Sequence, residues 1–186
     1  MFRKLSDFFY RTITRRILLL FAVLYSIIGF GIMPYKTIKM QQQYGENLQP
    51  FDLTFGYDKN FADNFLSALG ENGRAEYMQF VGVFDTIYPI IYGGLLLSVL
   101  TFLIGGSKYK NKINLLNLLP VLIVLVDYGE NICSIYNTTH FPDYSLLLLT
   151  AGSICTQVKW TLVVLVLLFI FYLGIIRFKD RHKITY

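Results

Sequence analysis

The chain of 186 residues is 54% hydrophobic, has a mean hydropathy of +0.48 and carries a formal net charge of +5. That is too apolar for an ordinary soluble domain of this size, and the class it points to is an integral membrane protein. The basic residues flank apolar runs without the interleaved aromatics of a nucleic-acid surface, so no nucleic-acid partner is expected.

Four segments carry the membrane signal: 17–33, 86–107, 113–136 and 144–176. Each is near or above the roughly 20 residues a helix needs to cross about 30 Å of hydrocarbon. The first segment lacks an A-x-A-like cleavage site in the GFGIMPYKTIKM that follows it, and reads as a permanent helix rather than a signal peptide. Arg3, Lys4, Arg11, Arg15 and Arg16 precede it, three lysines fall in GGSKYKNK, and Arg177, Lys179, Arg181 and Lys183 follow the fourth segment. Twelve of the seventeen Lys and Arg residues therefore lie on one side, which predicts both termini in the cytoplasm and a multi-pass protein of the cytoplasmic (inner) membrane. Ser26, Gly29 and Gly31 on the first helix are small enough to let a neighbour approach closely.

Residues 35–78 then form a long loop, expected to fold as a small extracytoplasmic cap rather than to run without structure. FDLTFGYD alternates enough for a short extended piece ending at Gly56. A helix follows, with Asp58 as N-cap, Phe61, Phe65, Leu66 and Leu69 on one face and Gly70 as its stop. Asn72 is the expected cap of the second membrane helix, 73–105, and the third is expected over 112–137. The fourth segment of 33 residues would be about 50 Å long as one helix, longer than the membrane is thick. A break is expected near Ala151, Gly152 and Ser153, leaving a short outer helix at 144–150 and a span at 153–177. Cys133 and Cys155, without a C-x-x-C, give no thiol-redox motif; they read as inert thiols or as a disulfide.

The third segment ends in VDYGEN, which puts Asp127 and Glu130 one turn apart within an apolar run. Counting 1.5 Å per residue from the outer ends of the helices brings Asp85, Asp127, Glu130 and Lys159 to a similar depth in the outer third of the bilayer. The facing agrees with the depth. Asp127, Glu130, Asn131 and Ser134 form an i, i+3, i+4, i+7 stripe, as do Asp85, Tyr88, Pro89 and Tyr92, and Thr156, Lys159, Trp160 and Val163. Charges in lipid cost about 2.5 to 3.5 kcal/mol each on insertion scales, so three such stripes should face one centre and pair there. Pro89 adds a polar atom to it, because its ring leaves the carbonyl of residue 85 without the usual helical donor.

Three carboxylates against one lysine leave an uncompensated negative charge. A protonated acid, Arg74 folding down from the cap or a cationic ligand would each answer it. Two readings stay open: a buried pair that only fixes helix packing, as in a scaffold or partner subunit, and a site that binds or transforms something. In the second, Asp127 and Glu130 are the acid and base candidates, and Asp85 and Lys159 hold their charge states. Tyr88, Tyr92, Tyr128, Asn131, Trp160 and Arg74 then surround a small amphipathic or lipid-like ligand. With His140 in a loop and His182 in the tail, no metal and no other cofactor is expected. No serine has a histidine to activate it, so triad hydrolysis lacks support. The expected partners are membrane lipids, with a homo-oligomer left open; the absence of an internal repeat speaks against a transporter.

FDLTFGYD, LGENGRAEY, DTIYP, DYGEN and KW, in this order over some 110 residues, resemble a family of small four-helix bacterial integral membrane proteins with no activity attached. The resemblance implies an all-α, four-transmembrane-helix bundle with the cap between helices 1 and 2. It also implies the grouping of Asp85, Asp127, Glu130, Lys159 and Trp160, and it implies no chemistry. Sterol-isomerase-like membrane domains similarly place acids and a Trp in a lipid-facing cavity, but their histidine and acid pattern is missing here.

Overall fold

The computed structural model describes residues 1–107 and 110–182, with the side chains of residues 181 and 182 left out. All regular structure among them is helical. A short α1 (Phe2–Thr12) is followed by α2 (Arg15–Tyr44), α3 (Lys59–Gly105), α4 (Leu119–Thr139) and α5 (Leu146–His182). Two short helical turns, Lys110–Ile113 and Asn114–Leu118, lead into α4. Four of these helices, α4 together with its leading turns, are long and apolar enough to cross a membrane, which makes this a multi-pass membrane protein.

The core of the bundle is α3, α4 and α5, with α4 packed against both neighbours. Around Leu100, Ile104, Ile123, Val166 and Leu173 this core is apolar and closed. By contrast α2 leans mainly on α3 and buries none of its own residues. Its contact is made possible by small residues. A Cβ at Gly94 would stand 2.5 Å from the Phe21 ring, and one at Gly29 3.0 Å from the Tyr88 hydroxyl. Gly31 has open space around it and Ser26 is exposed, so of the three small residues expected to matter on this helix only Gly29 does.

Several expectations for the connecting segment between α2 and α3 hold and several do not. Asp58 accepts a hydrogen bond from the Phe61 amide at 2.8 Å and starts α3. Gly70 breaks this helix with φ of 60° and ψ of −174°, a conformation open to glycine, and separates a first piece, 59–69, from the spanning piece that begins at once with Glu71. Asn72 is thus inside the helix and not its cap. Phe65, Leu66 and Leu69 are buried in a cluster with Phe51, Tyr57, Tyr77 and Leu149. The extended piece is absent: Phe51–Leu53 form a 3₁₀ turn, because Phe51 and Tyr57 both turn inward to that cluster, their rings 4.7 Å apart. The first span runs on to Tyr44, well past residue 34. A π-helical turn at Ile28–Ile32 takes up the change of register before Pro34, which then sits at the start of a regular stretch where its missing N–H costs little.

The expected break in the fourth segment is also absent. α5 is continuous over 37 residues, about 55 Å at 1.5 Å per residue. Gly152 serves close packing instead of a bend: a Cβ there would lie 2.5 Å from the Tyr57 hydroxyl and 3.0 Å from Cys133 Cβ. The helix beyond the span is used at one end by Leu149 in the cluster under the connecting segment, and at the other by Arg177, whose Nη1 donates to the Phe102 carbonyl. Cys133 and Cys155 are both free thiols.

Candidate functional site

Lys159 from α5 reaches α4. Its Nζ lies 2.6 Å from Glu130 Oε2 and 3.3 Å from Asp127 Oδ1, with both acids and the lysine buried. The i, i+3 spacing of Asp127 and Glu130 explains how one ammonium meets both carboxylates. The second oxygen of Asp127 accepts from the Tyr92 hydroxyl of α3 at 2.5 Å. Three helices are therefore joined through one carboxylate. Glu130 has a different setting. It is only 1% exposed, and apart from Lys159 it has no partner among the described residues.

The carbonyl freed by Pro89 is used as the sequence suggests. Asn131 Nδ2 donates to the Asp85 backbone oxygen at 2.8 Å, tying α4 to α3 one turn before Pro89. The carboxylate of Asp85 is separate from this bond. It is 6% exposed and faces a cavity of about 520 Å³.

That cavity lies between α2 and the three-helix core. Gly29, Met33 and Ile38 form the α2 wall, Pro89 and Leu96 the α3 wall, and Val163 and Leu167 the α5 wall, so the lining is mostly apolar. Its polar end holds Asp85, Asp127 and Lys159, with Tyr88, Tyr92 and Trp160 around them. Tyr88 stands edge-on to Tyr92, with ring centroids 5.4 Å apart, and stacks on Tyr25 of α2 at 6.1 Å. Since α2 touches chiefly α3 and meets α5 little, the cavity between them is not fully enclosed.

A fifth charged group joins the site from the connecting segment. Asp52, in the 3₁₀ turn, lines the same cavity and is held there because Trp160 Nε1 donates to its backbone carbonyl at 2.8 Å. Burial pushes the Asp52 carboxyl above its ordinary range, against the pull of Lys159. Depth counting along helices does not reach this residue, since it depends on a loop folding back. The one signal for it is a carboxylate set directly between two large apolar residues, Phe51 and Leu53.

Four expected members stand outside the lining, Asn131 among them because its amide is taken up by the Asp85 carbonyl. Arg74 remains in the connecting layer, where its Nη1 donates to the Leu66 carbonyl at 3.0 Å and its guanidinium lies 5.0 Å from the centre of the Phe141 ring. It is not the compensating cation. Tyr128 points away from the cavity and donates to the Thr86 carbonyl at 2.9 Å. Glu130 sits behind Lys159, outside the lining. Among the described residues no three His, Cys, Asp or Glu side chains come together in a metal-binding group. Compared with protein-family models, with curated proteins and with solved structures, the chain matches none.

Proposed function

We propose that the protein lies in the cytoplasmic membrane of a bacterium with both termini inside, and that its cavity takes a small amphipathic or lipid-like molecule from the outer leaflet. The observation that carries this reading is the union, in one cavity, of an apolar length on α2, α3 and α5 with a charged end at Asp85, Asp127 and Lys159. An amphiphile has the same division. Its tail would lie along the apolar walls of α2, α3 and α5 and its headgroup would meet the acids. Conversion by proton transfer is the further step. Asp127 is the group suited to it, being hydrogen-bonded to Tyr92, adjacent to Lys159 and open to the cavity, while Glu130 behind the lysine holds the ammonium in place.

A second reading has its own observation. Glu130 is buried outside the cavity lining and is paired with Lys159, as the partner of a lysine that only fixes helix packing would be, and a scaffold subunit would need no more. The two readings separate on co-purification. Protein extracted in a mild neutral detergent should retain an amphiphile, detected by mass spectrometry, in roughly stoichiometric amount. Val163→Trp, which fills the cavity from α5, should lose it while melting as the parent does. Equal retention by both proteins would overturn the ligand reading.

A further inference from the structure

The charges of the cavity specify the headgroup. Of the four acids Asp52, Asp85, Asp127 and Glu130, two are answered: Lys159 holds Glu130 and Asp127, and Tyr92 caps the second oxygen of Asp127. Asp85 is not answered. It is more than nine-tenths buried and faces the cavity, and its carboxylate has neither a hydrogen bond nor an ion pair to any described residue. Asp52 faces it from the connecting segment with no cation of its own beyond the shared field of Lys159, which is the sole cationic residue in the lining. A buried carboxylate without a partner is costly, and a cavity lined by Asp85 and by Asp52 against a single lysine is built for something positive.

The kind of cation follows from what else is present. The acids are not gathered into a metal-binding group among the described residues, so a small inorganic ion lacks its ligand set. Aromatic rings are what surround the open acids. Tyr88, Tyr92 and Trp160 line the same end, and Tyr88 is held by stacking on Tyr25. Carboxylates among aromatic faces suit an organic ammonium, which is large and weakly hydrated and gains from ring quadrupoles as well as from charge. The apolar length beyond then takes a chain. Resting on the proposal that the cavity binds an amphiphile, the geometry points to an ammonium-bearing amphiphile as its ligand, with Asp85 as the main counter-charge and Asp52 closing over it from above.

Trp160 is the one tryptophan of the chain and lines the cavity, so its fluorescence reports occupancy directly. The protein in a neutral polyoxyethylene detergent would be titrated with decyltrimethylammonium, decanoate and decyl maltoside, which share a chain and differ in headgroup. The expected result is a saturable change in Trp160 emission with the ammonium compound at a concentration at least about tenfold lower than with the other two, the size of one charge-assisted contact. Asp85→Asn should lose that preference and keep whatever affinity the chain alone provides. Saturation by decanoate or the maltoside with no preference for the ammonium would overturn the headgroup assignment and leave the amphiphile reading standing. A parent protein whose emission responds to none of the three would overturn both. The headgroup comparison on the parent stands even if Asp85→Asn fails to fold.

Discussion

Lys159→Met removes the only cation between two buried carboxylates, and the loss can be worked from the distances. At an effective dielectric of about 20, a pair at 2.6 Å is worth roughly 6 kcal/mol and one at 3.3 Å roughly 5 kcal/mol before desolvation is subtracted. Most of that gross energy is spent in taking three charges out of water, and stranding a buried partner typically costs about 3–5 kcal/mol net. Lys159→Met should fall in that range, because it strands Glu130 entirely and leaves Asp127 with Tyr92 alone. Glu130→Gln should cost less, about 1.5–3 kcal/mol, because Lys159 keeps Asp127. The double variant should be more stable than Lys159→Met on its own, since the fully buried carboxylate that lacked a partner is then gone. The assay is reversible unfolding of the four proteins in the same micelle, read as a double-mutant cycle. Additive losses, with the double variant the least stable of the four, would refute the reasoning and show that Glu130 and Lys159 do not depend on each other.

Other consequences are testable more briefly. Asn131→Ala should destabilise by about 1–3 kcal/mol by leaving the Asp85 carbonyl unsatisfied, and by clearly less in a Pro89→Ala background, where the helix regains its own donor; equal costs in both backgrounds would contradict the tie. Gly152→Leu should cost about 1–3 kcal/mol through its clash with Tyr57 and Cys133, whereas a helix break at that point would tolerate it, as thermal melting can decide. Trp160→Phe should speed hydrogen exchange in residues 51–53 with little change in the spanning helices, because it removes the bond that holds Asp52 over the cavity. With Cys133 and Cys155 changed to Ser, a cysteine at Asn47 should react with an impermeant reagent from outside intact cells and one at Lys110 should not; the reverse would invert the orientation proposed above.

What was legible in the sequence had local causes. Asp58 and Gly70 act through backbone conformation within a turn of themselves, and both do what their types predict. The meeting of Lys159 with Asp127 and Glu130 was legible too, although it joins two helices, because the membrane removes the choices a soluble protein would have: charges at one depth in lipid can only turn toward one another. The failures are of the opposite kind. Gly152 looks like a flexible point until Tyr57, nearly a hundred residues earlier, is seen to need the space of its missing side chain. Arg74 has the right charge for the cavity but has a ring and a carbonyl closer at hand. The first helix looks shorter in the sequence than it is because apolar character ends at Met33, yet the lysines, methionine and glutamines after it are good helix formers that need no lipid to continue.

Asp52 is the instructive omission, because it changes what the cluster means. Asp85, Asp127 and Glu130 against Lys159 read almost equally well as helix packing, and Glu130, buried outside the cavity lining, supports that reading. A loop residue is different. The backbone around residues 51–53 is already anchored by Phe51 in the apolar cluster and by the Trp160 bond to the main chain, and neither contact uses the Asp52 carboxylate. Packing would be served as well by a neutral side chain there, without adding negative charge to a site that has one lysine. A fourth acid brought over the cavity by a segment with other means of attachment is a cost to the fold, and such costs are retained where a ligand repays them on binding. Asp52→Asn therefore discriminates between the readings. It should raise the melting temperature of the empty protein by removing the desolvation cost of a buried carboxylate, with its repulsion from Asp127, and weaken the response of Trp160 to decyltrimethylammonium; a lower melting temperature would mean that the carboxylate, through its attraction to Lys159, supports the fold after all.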